Sequence, residues 1–180
     1  MKYRIRKAEK KDISNIIDLA VNMMAQSRSP YRQIDEKELH DYRRKDLQIL
    51  YDTYKNDSVG LFVAESLEGE FLGHVISMAN SVESSTGELR GYVFDLSIKP
   101  EHQGLGIGKN LMDLVEEYCK ARGMKYMCLN VTSSNSKAVG FYERIGYEEE
   151  RKRMVKVIEY NSDETDGKKK DNENQREEQD

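Results

Sequence analysis

A glycine-rich run in mid-chain, Gln103-Gly104-Leu105-Gly106-Ile107-Gly108-Lys109, carries the clearest chemical signal in this sequence. It follows a β-rich segment and opens an amphipathic one, which places it where a helix begins. The first turn of a helix presents unpaired backbone N–H groups and the positive end of its dipole, and glycine lets the main chain come close to a ligand. A phosphorylated ligand is the chemistry such a loop would hold. A Walker loop needs Ser or Thr after its Lys, whereas Asn110 follows Lys109 here. A dinucleotide fingerprint needs GxGxxG beside the first strand of a βαβ unit, and this run has the spacing GxGxG and lies in the middle of the chain. Taken alone, the run also fits a tight strand-to-helix turn with no ligand. Cys119 and Cys128 fall in apolar segments and form no close pair, and His40, His74 and His102 are scattered, so neither a disulfide framework nor a metal site is expected.

The elements that must hold the loop can be read from periodicity. Lys2 to Arg6 alternates like a strand, and from Asp12 the positions Ile13, Ile16, Ile17, Ala20 and Met24 fall on one helical face. Ser27 to Pro30 breaks that helix, and Leu39, Tyr42, Leu47, Leu50 and Tyr54 mark a second from about Asp35 to Tyr54. Val59 to Ser66 and Glu70 to Met78 read as a hairpin through Glu68-Gly69, followed by a polar loop from Asn80 to Glu88. Gly91 to Ile98 is a central-strand candidate that Pro100 stops. A helix from Gly106 to Arg122 closes at Gly123, Tyr126 to Val131 is a further strand, Asn135 to Ile145 is a short helix closed by Gly146, and Met154 to Ile158 is expected as a last strand.

The chain has 180 residues, room for one domain of ordinary size. Its net charge of −4 is all contributed by the final twenty residues, so residues 1 to 160 are neutral and carry no electrostatic footprint for nucleic acid. The segment from Asn161 to Asp180 has no aliphatic or aromatic side chain to offset the entropy of ordering, and it is expected to be a disordered acidic tail after a 1–160 domain. No stretch approaches the ~20 apolar residues of a spanning helix, and Met1 to Arg6 lacks the apolar block of a secretory signal. A cytoplasmic protein with no membrane partner is the expectation.

Around the glycine run the sequence resembles the GCN5-related N-acetyltransferase (GNAT) family. Gln103, Gly106 and Gly108 match that family's acetyl-CoA loop, Gln or Arg, two free positions, Gly, one free position, then Gly or Ala. Asp95 to His102 looks like its fourth strand and proline exit. Asn135, Ala138, Phe141, Tyr142, Gly146 and Tyr147 are similar to its downstream Asn-Ala-Phe-Tyr-Gly-aromatic motif at matching spacing, and Arg6-Lys7-Ala8 with Asp12 is similar to its opening. The resemblance covers about residues 2 to 158.

It implies an α/β (α+β) fold with a mixed, mostly antiparallel sheet of six to seven strands flanked by about four helices. It also implies transfer of an acetyl group from acetyl-CoA, with no metal, to a primary amine on a small molecule or peptide that attacks directly. The amides of Gln103, Gly104, Leu105, Gly106, Ile107, Gly108 and Lys109 would hold the pyrophosphate, backbone groups of Leu96, Ser97 and Ile98 the pantetheine arm, and Asn135 the arm's other side. Tyr142 would be the general acid for the departing thiolate. Asp95, the only acid in its strand, and Glu88 at the strand's approach are the candidate bases. Strand parity turns Asp95 from the cleft unless a bulge reverses it. Asp35, Glu36, Glu83 and Glu88 could hold a cationic amine. A monomer or homodimer is compatible with all of this. Two other readings are a catalytically silent CoA-binding sensor or scaffold, which would lack the acid, and a plain nucleotide-binding module.

Overall fold

The computed structural model describes residues 1–53 and 59–158. The chain divides into two units, Met1–Glu148 and Glu149–Asp180. In the first, five strands form one sheet in chain order: β1 (Tyr3–Lys7), β2 (Val59–Ser66), β3 (Phe71–Val82), β4 (Leu89–Ile98) and β5 (Met127–Leu129). The first four are successively antiparallel, and β5 runs parallel to β4. Helices α1 (Ile13–Asn22), α2 (Met24–Ser27) and α3 (Glu36–Thr53) lie between β1 and β2, α4 (Ile107–Lys120) between β4 and β5, and α5 (Ser136–Arg144) after β5.

Alternation along the strands divides the core. Val63 of β2 and Ile76 of β3 pack with Ile16, Ile17, Ala20 and Val21 of α1 and Leu47 of α3. Their neighbours Ala64 and Val75 face the other way, onto Ile107, Leu111, Met112, Val115 and Cys119 of α4. The period-two strand thus supplies both layers. No helix among the described residues is long and apolar enough to cross a membrane.

Two expectations need correction. The Asn80–Glu88 stretch is not all loop, because β3 continues to Val82 and pairs Ser81 with Arg90 and Val82 with Leu89. Met154 to Ile158 forms no strand; the described sheet has five strands, and its mixed, mostly antiparallel order with flanking helices agrees with the expected fold class. A β-rich composition makes a strand only where a ladder partner is available, and Met154, Val155, Val157 and Ile158 stand exposed. Tyr54 and the Asn161–Asp180 tail lie outside the described residues.

The opening Arg6 and Asp12 have a structural job. Arg6 donates to both oxygens of Asp12, at 2.7 and 3.0 Å, and to Glu65 of β2, which also accepts from Arg4. Asp12 and Glu65 are buried. The guanidinium of Arg6, with that of Arg4, holds the Glu65 carboxyl at about 2, and Arg6 likewise lowers Asp12. Replacing Arg6 by Met would leave two buried carboxylates without their shared cation, and a loss of about 3 kcal/mol is expected. Acids depressed on folding add stability above their unfolded values and lose it as pH falls toward their folded values. The parent should therefore weaken between about pH 4.5 and about 2, and Arg6→Met should flatten that dependence. Urea midpoints across this range test it.

Candidate active site

The sheet opens where β5 leaves β4. Their ladder comprises Gly91 with Met127, Tyr92 with Cys128 and Val93 with Leu129, and β4 then continues to Ile98 without a β5 partner. At that point β4 bulges, since Ile76 of β3 faces Asp95 while Ser77 faces Val93, leaving Phe94 unpaired. The extra residue reverses parity beyond it. Val93, Leu96 and Ile98 pack on the α4 side, whereas Asp95, opposite Ile76, turns to the α1/α3 side.

Backbone directions follow from the same register. Lys99 N–H donates to Leu72 C=O, so alternation turns the groups of Ser97 toward β3 and those of Leu96 and Ile98 toward the open edge. Of the three residues expected to meet a pantetheine arm, two therefore present main-chain groups to the gap. The Ile98 carbonyl accepts from Gln103 Nε2 at 3.0 Å, which ties the start of the glycine run to the end of the strand.

Within the run, Gly104 and Gly106 have φ of 79° and 80°, and a Cβ at either would meet nothing within 4 Å. Left-handed backbone, not crowding, requires glycine here, and the loop faces open space. Gly106 caps α4, and Asn110 N–H is the amide that reaches back to its carbonyl. The N–H groups of Ile107, Gly108 and Lys109 in the first turn lack intrahelical partners. Behind the loop, Phe141 backs Gly108, its ring 3.5 Å from where a Cβ would stand. This cradle of free amides and left-handed glycines fits a diphosphate.

Asn135 caps α5, with its Oδ1 accepting from Ala138 N–H at 3.1 Å. At the other end Gly146, at φ 94°, lets Tyr147 N–H return to Tyr142 C=O at 3.0 Å. That closure fixes Tyr142, whose ring stands edge-on to Phe141 and Tyr147 at 5.2 and 5.7 Å. Burial, and then the negative charge of Asp95, push its phenol up to about 12.

Asp95 is the hub of a network that sequence reasoning missed. Its Oδ1 lies 2.9 Å from His74 Nε2 and accepts from Ser97 Oγ at 2.7 Å, and its Oδ2 accepts from Arg43 at 2.8 Å. Burial pushes Asp95 up, but the His74 hydrogen bond, the charges of His74 and Arg43 and the Ser97 hydroxyl outweigh it and hold the carboxyl at about 2. His74 is fully buried, and its Nδ1 has no partner. The available signal was an ionisable side chain inside the apolar run of β3. Arg43, one of several cations on α3, gave none.

The charge of Asp95 reaches Tyr142 from the other face of the sheet, and Glu88 lies apart from both. Glu88 lies in the β3–β4 turn with its side chain exposed, its carbonyl accepting from Glu83 N–H. It is about 20 Å along the strand from Asp95, at 3.3 Å per residue. The other candidate acids are largely committed. Asp35 accepts from the amides of Lys37 and Glu38 at the start of α3, and Glu36 stands 3.9 Å from His40. Glu83 pairs with Arg90 and accepts from Ser85 N–H.

A five-stranded, mostly antiparallel sheet that parts beside a helix-capping glycine loop defines an acyl-CoA transferase architecture. The profile of the Acetyltransferase (GNAT) family matches residues 16–147, and the chain belongs to that family. It is therefore an acyltransferase, of a family that moves acetyl groups from acetyl-CoA to amines. An uncharacterized N-acetyltransferase of Methanocaldococcus jannaschii is 29% identical over 163 residues, covering 87% of this chain and 67% of that protein. A Pyrococcus furiosus protein assigned as an acetyl transferase superposes with TM-score 0.73 at 27% identity, over 87% of this chain and all of its own. The fold is shared with AAC(6')-Iy bound to a CoA bisubstrate analogue, at TM-score 0.64 and 15% identity over 89% of this chain and all of the other.

Proposed function

We propose that this protein acetylates a primary amine, on a small molecule or a peptide, by direct attack on acetyl-CoA, with Tyr142 as the acid facing the leaving sulfur. The observation that carries the reading is the position of Tyr142, a half-buried phenol packed against the same core cluster as Leu96 and Ile98 of β4 and Leu129 of β5. Acetyl-CoA supplies the thioester that the amine attacks. The amides of the Gln103–Lys109 loop bind its diphosphate, and the main-chain groups of Leu96 and Ile98 align its arm. An N–H on this edge stabilises negative charge developing on the thioester oxygen. Tyr142 donates to the sulfur as it departs. Asn135 holds the first turn of α5, which carries Tyr142.

Asp95 is too weak a base at about 2 to strip an ammonium group. Its carboxylate, held by Arg43 and His74, instead keeps Tyr142 protonated and anchors β4 to α3, while the amine's proton leaves to water. Asp95→Asn is expected to lower turnover more than tenfold, whereas Glu88→Gln should match the parent. Thiol release from acetyl-CoA, measured over a panel of amines and amino-terminal peptides, tests the whole reading. CoA binding without thiol release from any acceptor would favour a silent binding domain instead. A Glu88→Gln defect equal to that of Asp95→Asn would overturn the assignment of roles.

A further inference from the structure

Three lysines surround the glycine run, and they differ in what they touch. Lys109 Nζ pairs with Asp113 at 2.6 Å, and Lys99 Nζ pairs with Glu70 at 2.8 Å, so a carboxylate neutralises each. Lys137, in the first turn of α5, donates instead to Gln103 Oε1 at 2.5 Å. Among the described residues no carboxylate forms an ion pair with it. A neutral amide oxygen orients the ammonium group without cancelling its charge. The same Gln103 is anchored through its Nε2 to the Ile98 carbonyl, so its side chain is a strut from the end of β4 to Lys137. An uncompensated positive charge is thus held at the mouth of a loop whose amides already favour an anion.

We propose that Lys137 is a diphosphate-binding residue, whose Nζ leaves Gln103 Oε1 for a phosphate oxygen and thereby ties α5, the helix that carries Tyr142, to the loaded loop. The inference rests on the acetyl-CoA reading above. It gives α5 two ends with linked tasks, since Lys137 stands one turn and a half before Tyr142 on the same helix. An ammonium group facing a phosphate is a point-charge contact, so it should survive replacement by Arg better than by Gln.

The test compares the parent, Lys137→Gln and Lys137→Arg with CoA, dephospho-CoA and acetyl-pantetheine. Titration calorimetry follows the first two ligands, and thiol release follows the third. Lys137→Gln is expected to weaken CoA and dephospho-CoA by about tenfold each, with the KM for acetyl-pantetheine unchanged and Lys137→Arg recovering most of the affinity. Equal CoA affinity in the parent and Lys137→Gln would overturn this inference and leave the acetyl-CoA reading standing. A loss confined to CoA would assign Lys137 to the 3′-phosphate and overturn the diphosphate contact. A loss for acetyl-pantetheine as well would show a structural role. A parent that binds neither CoA nor dephospho-CoA would sink the underlying reading itself.

Discussion

Replacing Tyr142 by Phe should lower turnover by about 10² to 10⁴, the usual worth of a positioned acid, while CoA affinity barely changes. The substitution keeps the ring and its edge-on contacts with Phe141 and Tyr147 and removes only the hydroxyl. A phenol at about 12 stays protonated across any ordinary assay range, so the parent's rate should show no alkaline limb from this group below about pH 11. The same value limits how the proton moves. A free thiol titrates near ~8.5, so complete transfer from such a phenol to a solvated thiolate would run uphill. On the proposed reading Tyr142 would donate to the sulfur while its charge is still developing, beside a thiolate that burial makes more basic than in water. Single-turnover thiol release at saturating acetyl-CoA, measured from pH 6 to 10 as a chosen range, reads the effect. A Phe variant with more than about half the parent's rate would reduce Tyr142 to packing. Lost turnover accompanied by lost CoA binding would mark a damaged site.

The second large effect is expected at Gly106, where Asp should cost at least about 10² in CoA affinity. Strain alone does not explain a loss of that size, because Asn and Asp tolerate left-handed backbone better than other side chains and a Cβ here has open space. The carboxylate would, however, sit at the cap of α4 beside the proposed diphosphate site, and like charges so placed cost several kcal/mol. Gly106→Asn isolates that contribution, since it bears the same backbone strain in nearly the same shape without the charge. Calorimetric titration with CoA should find Asn within a few fold of the parent and Asp far weaker. If the two variants lose affinity equally, the loop's conformation is what fails. If neither loses any, the loop is only a turn into α4.

What could be read from the sequence was local. The GxGxG run, Asn135 as a cap and Gly146 as a closing glycine are signals carried within a few residues, because caps and left-handed turns depend on neighbouring backbone groups. The hairpin from Val59 through β3 was legible for the same reason, as was the amphipathic face of α4 from Ile107 to Cys119. Composition could not foresee that Met154 to Ile158 lacks a described ladder partner, since pairing belongs to two segments and not to one. The direction of Asp95 was likewise undecidable, because it hangs on one unpaired residue, Phe94, and a bulge is a property of the β3–β4 register. Arg43 and His74 reach Asp95 from positions 52 and 21 residues away in the chain. Only tertiary packing brings such charges together: the hydrogen bonds and charges of His74, Arg43 and Ser97 hold the Asp95 carboxyl at about 2 against its own burial, while burial lifts the Tyr142 phenol to about 12.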